Sequence, residues 1–312
     1  MDQTTPQKHV KEPRKPDWLK IKLSSVDSYS AISHTIHNAG LHTICSSGMC
    51  PNMSECWSRG TATFMIGGNV CTRACRFCAT QSAKTPPPLN HNEPMEVARS
   101  IQDMRLKYAV ITSVDRDDLP DGGAQHWVDV ILAVRELNPE TTIEVLIPDF
   151  GGDQKALDLV LQTKPDVVGH NLETVRRLTP SVRHTATYET SLKVLRQISE
   201  SGCVTKTGIM VGLGETPEEV ESLFRDCVEV GVDTLTVGQY LRPNKKLLPV
   251  VEYVHPDQFA RYKEIGEALG LKHVESGPLV RSSYRADTQF ATAKKALDLK
   301  DLTIRNNNNA TR

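Results

Sequence analysis

Two triplets of cysteine are the residues of this chain whose type and spacing could do chemistry. One triplet has C-x3-C-x2-C spacing and consists of Cys71, Cys75 and Cys78. The other has C-x4-C-x5-C spacing and consists of Cys45, Cys50 and Cys56. A structural zinc site takes four protein ligands, and a cuboidal 4Fe–4S cluster has four irons. Three thiolates therefore leave one metal position open to another ligand, and an open position is where a metal can react.

Composition narrows the setting in which these cysteines act. The 312-residue chain has a formal net charge of −1, which argues against binding nucleic acid or a membrane surface through bulk charge. It contains no run near the ~18 apolar residues of a membrane span and no apolar secretory segment near its start. These features predict a cytoplasmic protein, in which clustered cysteines bind metal or act in redox chemistry more often than they form disulfides.

The chain between the two ends alternates short apolar runs with amphipathic helical stretches. Such alternation predicts a parallel α/β sheet, which a barrel and an open doubly wound sheet satisfy equally. Polar residues and glycines follow the runs, as in SVDRDD, PDFGGD and VGLGET, and in a barrel these loops meet at one mouth. This arrangement favours a partial six-stranded barrel. The predicted strands are residues 64–68, 108–114, 141–149, 166–173, 204–214 and 233–241.

A zinc site is the main alternative to iron–sulfur clusters. The chain has ten histidines, and one of them could complete a triplet as a fourth ligand. His34, His37 and His42 precede the first triplet, but His34 and His37 stand at i and i+3 of a predicted helix face, which favours surface or capping histidines over zinc ligands. A non-catalytic zinc or iron–sulfur protein is the alternative from a different class, and it predicts a colourless or redox-only metal site.

The cysteine motifs resemble those of a known family. CTRACRFC, with Phe77 before its last cysteine and a strand before its first, resembles the motif of radical S-adenosylmethionine (SAM) enzymes. The upstream CSSGMCPNMSEC and the later RSSY at 281–284 extend the resemblance to the lipoyl synthases, over residues 40–290. Two other families of sulfur-inserting radical enzymes fit the sequence less well. RNA methylthiotransferases place their extra cysteines in a separate domain and add a basic RNA-binding module, and biotin synthases lack the compact upstream triplet.

The resemblance implies a partial (β/α)6 radical-SAM barrel whose two extensions carry an auxiliary cluster. It divides the chain into a disordered arm, an N-terminal extension, the barrel, a C-terminal extension and a tail. Their bounds are 1–25, 26–62, 63–255, 256–292 and 293–312. The implied reaction is radical insertion of two sulfur atoms, at C6 and C8 of a protein-bound octanoyl-lysine, with two SAM molecules consumed.

The implied cofactors are two 4Fe–4S clusters and SAM. By resemblance, the downstream triplet binds the radical cluster, the upstream triplet binds the auxiliary cluster, and Ser283 caps the fourth iron of the auxiliary cluster. The implied partners are octanoylated lipoyl-domain proteins, namely acyltransferase subunits of 2-oxoacid dehydrogenases and the glycine-cleavage H protein. An electron donor such as ferredoxin or flavodoxin and an iron–sulfur carrier are also implied, whereas nucleic acid and membrane are not.

Five residues near strand ends are candidates for contact with SAM. They are Thr112, Ser113, Asn171, Glu173 and Gly212. Gly212 lies in GIMVGLGE, which resembles the strand end that follows the adenosine in radical SAM enzymes, and a glycine there permits close approach. The mixed-charge loop 115–118, which lies just after Ser113 in the sequence, fits a solvated turn and a site loop equally well.

Overall fold

The computed structural model describes residues 13–20, 42–43, 52, 55–56 and 62–295. Cys45 and Cys50 of the upstream triplet lie outside these residues, as do most of the predicted arm and tail. In the part of the chain that is described, no helix is long and apolar enough to cross a bilayer.

One eight-stranded sheet organises the molecule. Its strands, in their order across the sheet, are β1 His42–Thr43, β2 Thr63–Ile66, β5 Tyr108–Ser113, β6 Thr142–Leu146, β7 Val167–Gly169, β8 Val204–Val211, β9 Thr234–Gln239 and β10 His273–Gly277. All neighbouring pairs are parallel except β1 with β2. A separate two-stranded parallel sheet consists of β3 Val70–Cys71 and β4 Gln81–Ser82.

Helices connect successive parallel strands. They are α1 Glu93–Asp103, α2 Ala124–Leu137, α3 Gln154–Gln162, α4 Thr179–Val182, α5 Tyr188–Glu200, α6 Pro217–Glu229 and α7 Pro256–Leu269. Short 3-10 turns cover Asp17–Leu19 and Phe150–Gly152, and residues 286–295 are helical. The start of α6 shows why the sequence places it there, because Thr216 and Glu219 form a capping box before the helix.

The fold class predicted from the sequence is confirmed, and all six predicted strands are present. Among the described strands, β1 and β10 stand at opposite ends of the sheet without pairing, so the barrel is partial. The sheet also continues to β10, which was not predicted. Its sequence, HVESG, has only one large apolar residue, and its pairing with β9 rather than its hydrophobicity defines it as a strand.

The two faces of the sheet are filled differently. Ala109 and Ile111 belong to the large apolar core, which also contains helical residues such as Val97, Trp127 and Leu195. Tyr108 and Val110 alternate with them and face the other side, where they pack with Ala286 and Phe290. The helical residues 286–295 therefore lie against the amino ends of the strands, opposite the end at which the loops predicted to form the site emerge.

Candidate active site

The downstream cysteine triplet lies on a loop whose two ends are held together. Cys71 ends β3 and pairs in register with Ser82 of β4. The amide of Ala83 donates to the carbonyl of Cys71 at 3.0 Å, and within the loop the amide of Cys78 donates to the carbonyl of Cys75 at 3.0 Å. We call residues 71–82 the cysteine loop. Its closed base fixes the spacing of all three thiols on one short segment.

The far side of the cysteine loop is attached to two other connections of the barrel. The amide of Arg76 donates to the carbonyl of Val182, and the amide of Leu248 donates to the carbonyl of Arg76, both at 3.0 Å. Phe77 packs against a small apolar cluster formed by Val182, Leu213, Tyr240 and Val250. The aromatic residue of the motif thus anchors the loop to α4 and to the segments that follow β8 and β9.

The three thiols are free, and their surroundings favour a bound cation. Cys71 is buried, and Cys75 and Cys78 are half-buried. Burial, reinforced by the nearby charge of Asp115, raises the pKa of both Cys71 and Cys75 to about 12. Without a metal these thiols stay protonated at neutral pH, whereas bound iron would replace their protons. Binding of iron would therefore release the protons of Cys71 and Cys75 and leave thiolates whose negative charge the metal offsets.

Hydrogen bonds to Cys71 also fit an iron–sulfur cluster. Its Sγ accepts from the backbone amide of Arg73 at 3.4 Å and from that of Asp115 at 3.3 Å. Such amide–sulfur bonds tune clusters bound by thiolates. In the described ranges no three His, Cys, Asp or Glu side chains converge as ligands of one ion would. A cluster instead takes one thiolate per iron, so its ligands stand farther apart, and the donor set fits a cluster.

Arg73 ties the cysteine loop to the loops after β5 and β6. Only 7% of this residue is exposed. Its Nε and Nη2 donate to the two carboxylate oxygens of Asp117 at 2.9 and 2.7 Å. Nη2 also lies 2.7 Å from Oδ1 of Asp149, and Nε lies 3.3 Å from Oδ1 of Asp115. One guanidinium therefore gathers three carboxylates and ties loop 115–118 to the cysteine loop, although Asp117 and Asp118 remain exposed.

These carboxylates differ in their ionisation. Burial favours a high pKa for Asp149, but the hydrogen bond and charge of Arg73 outweigh it and lower that pKa to about 2. A hydrogen bond from Arg73 likewise lowers the pKa of Asp117. The pKa of Asp115 is raised, because burial outweighs the attraction of Arg73. Asp117 and Asp149 are therefore carboxylates at neutral pH.

Asn171 and Glu173 follow β7, and the two residues contact each other. Glu173 has φ +66°, unusual for a residue with a side chain, and its backbone bridges β8 at Ile209. Burial raises the pKa of Glu173, opposed by the charge of Arg183 and a hydrogen bond with Asn171. Glu173 and Arg183 are also among the charges that act on Cys75. The structure thus brings Glu173 within electrostatic reach of Cys75, and Asn171 contacts Glu173 and Arg183.

Arg183 is held by a buried chain of polar groups. Its Nη1 donates to the carbonyl of Asn171 at 3.0 Å and to Oγ of Ser191 at 2.8 Å. The ring of His170 links Oγ of Ser191 and the carbonyl of Ile147, each at 3.0 Å. Since the carbonyl only accepts, Nδ1 carries the proton and Nε2 accepts from Ser191. Burial and the charge of Arg183 lower the pKa of His170 to about 4, so it is neutral.

The other three SAM candidates have local roles that the structure defines. Thr112 donates from Oγ1 to the carbonyl of Leu146 at 3.1 Å. Oγ of Ser113 is buried without a hydrogen-bond partner. Gly212 has φ +96°, and a Cβ there would collide with the side-chain amide of Gln239 and with a backbone carbonyl. This packing accounts for the glycine by itself, and contact of these residues with SAM stays a prediction.

Ser283 lies half-buried in a turn that adjoins the described part of the upstream triplet. The side chain of Asn52 donates to the carbonyl of Leu279 at 2.6 Å. The hydroxyl of Tyr284 donates to Glu55 at 3.3 Å, and Arg285 lies 3.5 Å from the same carboxylate. Cys56 packs against the main core next to Glu55. The ends of the two predicted extensions thus meet, while the roles of Cys56 and Ser283 as ligands stay predictions.

Sequence reasoning missed three buried charges of this site, Arg73, Asp149 and Arg183. Arg73 and Asp149 are polar residues in loops that follow apolar runs, which is the signal that could have drawn attention to them, whereas Arg183 follows the short helix α4 and has no such local signal. Their function becomes visible only when separate loops meet. Arg73 in particular stands between two cysteines, where a basic residue in a loop ordinarily faces solvent.

Comparison with known families places the chain among characterised groups. The model of the radical SAM superfamily matches residues 65–227. Lipoyl synthase of Bacteroides thetaiotaomicron is 57% identical over 274 residues, covering 88% of this chain and 97% of the relative. Lipoyl synthase of Phocaeicola vulgatus is 57% identical, covering 89% and 97%. Lipoyl synthase of Treponema denticola is 56% identical, covering 88% and 94%.

Solved structures with low sequence identity share the fold. Streptococcus suis SuiB bound to precursor peptide SuiA superposes with a TM-score of 0.56 at 12% identity, covering 80% of this chain and 52% of that chain. HydG, a maturase of the [FeFe]-hydrogenase, superposes with a TM-score of 0.54 at 15% identity, covering 68% and 50%. The chain spans about half the length of each, and the likeness concerns the barrel architecture alone.

Proposed function

The chain belongs to the lipoyl synthase family of the radical SAM superfamily, and from this premise we propose that it converts protein-bound octanoyl-lysine to lipoyl-lysine. The observation that carries the proposal is the identity of 57% over nearly the full length of a lipoyl synthase, together with the free cysteine triplet on the mouth of a partial barrel. Two C–H bonds of the octanoyl chain, at C6 and C8, are replaced by C–S bonds.

The downstream triplet holds the radical cluster. Cys71, Cys75 and Cys78 would hold this cluster through their three thiolates and leave one of its irons open to SAM. When bound, the radical cluster supplies the electron that cleaves SAM to methionine and a 5′-deoxyadenosyl radical, and the auxiliary cluster supplies the sulfur. Around the thiols the chain provides amide hydrogen bonds to Cys71 and the anchoring of Phe77 in its apolar cluster.

SAM lies along the strand ends beside this triplet. Asn171 and Glu173 are the best supported of its predicted contacts, because both lie next to Arg183 and Glu173 acts electrostatically on Cys75. The backbone strain of Glu173 supports the same assignment, since strained residues concentrate at functional sites. Thr112, Ser113 and Gly212 complete the predicted contacts.

The upstream triplet holds the auxiliary cluster, with Ser283 as the ligand of its fourth iron. Support comes from the contacts of Glu55 with Tyr284 and Arg285, which bring the neighbourhood of Cys56 to the turn that carries Ser283. A serine oxygen binds iron less firmly than a thiolate does. Ser283 would therefore be the most readily displaced of the protein ligands of this cluster.

The acceptors are octanoylated lipoyl domains of 2-oxoacid dehydrogenase acyltransferase subunits and of the glycine-cleavage H protein. A low-potential donor of the ferredoxin or flavodoxin type supplies electrons, and an iron–sulfur carrier rebuilds the auxiliary cluster. The reaction takes place in the cytoplasm. The donor and the carrier follow from the chemistry of the proposed reaction, which consumes electrons and sulfur, whereas the acceptors follow from membership of the family.

The decisive experiment is anaerobic incubation of the reduced, reconstituted protein with SAM and an octanoyl-lysine peptide, followed by mass spectrometry. We expect a dithiolated peptide together with 5′-deoxyadenosine. Deoxyadenosine without thiolated peptide would reject the acceptor while keeping the radical chemistry. Neither product, from protein with both clusters intact, would reject the proposed function.

Three cysteine variants assign the two clusters. Cys75→Ala should abolish deoxyadenosine formation, and Cys56→Ala should keep it while stopping thiolation. Cys203→Ala is the matched control, because Cys203 lies outside both triplets and should leave both products unchanged. Retained SAM cleavage in Cys75→Ala would contradict the assignment of the radical cluster.

A further inference from the structure

Negative charge exceeds positive charge around Arg73 of the cysteine loop. Arg73 contributes one positive charge, and the three carboxylates on it come from two other connections, with Asp115 and Asp117 after β5 and Asp149 after β6. Arg73 and Asp149 are almost fully buried, with side-chain exposures of 5% and 2%. Since one guanidinium balances only one carboxylate, this group of four side chains is anionic.

The anionic group reaches the thiols through Asp115. Its Oδ2 lies 3.5 Å from Sγ of Cys71 and accepts from this thiol. The charge of Asp115 also acts on Cys75, while Arg73, Asp117 and Asp149 all act on Asp115. The carboxylates are therefore electrostatically coupled to two of the three residues that hold the radical cluster.

Two features of the loop act on the cluster in opposite directions. The amide hydrogen bonds from Arg73 and Asp115 to Cys71 withdraw charge from the sulfur and make reduction easier. Neighbouring carboxylates make reduction harder, because the added electron is repelled in a medium of low dielectric constant. Reductive cleavage of a sulfonium ion requires a strongly reducing electron, so the carboxylates act in the direction that the reaction needs.

We propose that the carboxylates of Asp117 and Asp149 lower the reduction potential of the radical cluster, with Arg73 as the counter-charge that limits this effect and positions them. The inference rests on the proposed function, since it requires a cluster on Cys71, Cys75 and Cys78. Asp117 and Asp149 bind no iron in this assignment. They act on the cluster through Arg73 and Asp115 and are positioning residues.

A purely mechanical role is the competing explanation, because the same ion pairs also fasten three loops together. The two explanations differ in sign. If the group only holds the loop, removal of Arg73 and removal of an aspartate loosen the same contact and have effects in the same direction. If charge matters, removal of a positive side chain and removal of a negative one shift the potential in opposite directions.

The test is an anaerobic redox titration of the holoenzyme, followed by electron paramagnetic resonance of the signal that responds to added SAM. We expect Asp149→Asn to raise the midpoint potential, with the reduction equilibrium changed about tenfold, which corresponds to ~59 mV for one electron. Asp117→Asn should raise it by a smaller amount, because the side chain of Asp117 is 41% exposed and solvent screens its charge. Arg73→Gln should lower it, and Arg73→Lys should stay near the wild-type value. Asp129→Asn, on the exposed face of α2, is the control and should cause no shift.

The outcomes separate this inference from the proposed function. Shifts of one sign in all variants, or none larger than that of Asp129→Asn, would overturn it in favour of a mechanical role. A wild-type protein without any SAM-responsive signal would reject the radical cluster itself and the inference with it. If Arg73→Gln fails to retain its cluster, the two Asn variants and Arg73→Lys still decide between the explanations, because they keep a hydrogen-bonding side chain at each position.

Discussion

At the scale of single residues, the two serines of the RSSY segment raise the question of which hydroxyl acts in the site. In RSSY the two serines have equal chemistry, yet the resemblance to lipoyl synthases assigns iron ligation to Ser283. Both serines are half-buried in the same turn, which Tyr284 closes by donating from its amide to the carbonyl of Arg281 at 2.9 Å. Position in the turn, rather than residue type, therefore has to decide which hydroxyl reaches the upstream triplet.

Replacement of Ser283 by Ala should leave SAM cleavage intact and reduce formation of dithiolated peptide at least tenfold, because the fourth iron of the auxiliary cluster loses its protein ligand. Ser282→Ala is the matched control and should retain near wild-type thiolation. Product ratios measured by mass spectrometry, with iron content determined on the same samples, check this. Sensitivity of Ser282 instead of Ser283 would show that the ligand is the neighbouring serine.

His170 makes stability depend on pH. Its pKa is about 4 in the folded chain against 6.5 in the unfolded one, because burial opposes its charge. Below pH 6.5 the unfolded chain binds a proton that the folded chain does not, so stability falls as the pH falls from 6.5 to 4, by about 3 kcal/mol in all. Urea unfolding of the metal-free, reduced protein at several pH values measures this. His170→Gln should remove that part of the pH dependence, and an unchanged difference between pH 7 and 4.5 would contradict it.

At the scale of secondary-structure elements, the loop after β10 depends on a close approach to β9. Gly238 pairs in register with Gly277, and a Cβ at Gly238 would collide with the carbonyl oxygen of Val280. Because Gly238 does not have a positive φ, the glycine is needed here for space and not for backbone conformation. The turn that carries Ser283 follows directly, so this contact sets its position.

Gly238→Ala should therefore displace the turn that carries Ser283 without disturbing the cysteine loop. We expect the displaced turn to raise the activation free energy of thiolation by about 2 kcal/mol, which makes thiolation roughly 30-fold slower. SAM cleavage should stay within about threefold of wild type. Gly202→Ala is the control, since a Cβ there meets no atom within 4 Å and costs only the strain of φ +84°. Equal loss of cleavage and thiolation in Gly238→Ala would indicate general unfolding instead.

Sequence reasoning predicted the elements whose own residues form an apolar pattern that indicates burial. Six strands with apolar runs and the helices between them were predicted, because each pattern is local. β10 and α4 were not, since HVESG and TPSV carry little hydrophobicity and depend on their neighbours. The site follows the same rule. Cysteine spacing identified the loop at once, whereas the meeting of Arg73 with Asp149 requires a contact between residues far apart in sequence.

For the whole molecule, the partial barrel has to be closed at the end opposite the site. Tyr108, Glu144 and Lys206 form a buried group there, with Tyr108 donating to Glu144 at 2.5 Å and Lys206 donating to Glu144 at 2.8 Å. These side chains are covered from solvent, so their charges are satisfied by one another through hydrogen bonds rather than by water. The helical residues 286–295 provide this cover, because Phe290 packs on Tyr108 as well as on Val167 and Val204 at the starts of β7 and β8.

Closure by this segment links the stability of the barrel to the placement of the RSSY turn, which directly precedes it. Phe290→Ala should lower the free energy of unfolding by about 2 kcal/mol, less than for a fully buried phenylalanine because the ring is half-exposed. The melting temperature should fall by about 5 °C. Hydrogen exchange should rise first in the amides at the starts of β5, β7 and β8. Thr292→Ala, on the exposed side of the same helical segment, should change neither quantity, and equal effects of both variants would show that residues 286–295 act through helix content rather than through closure.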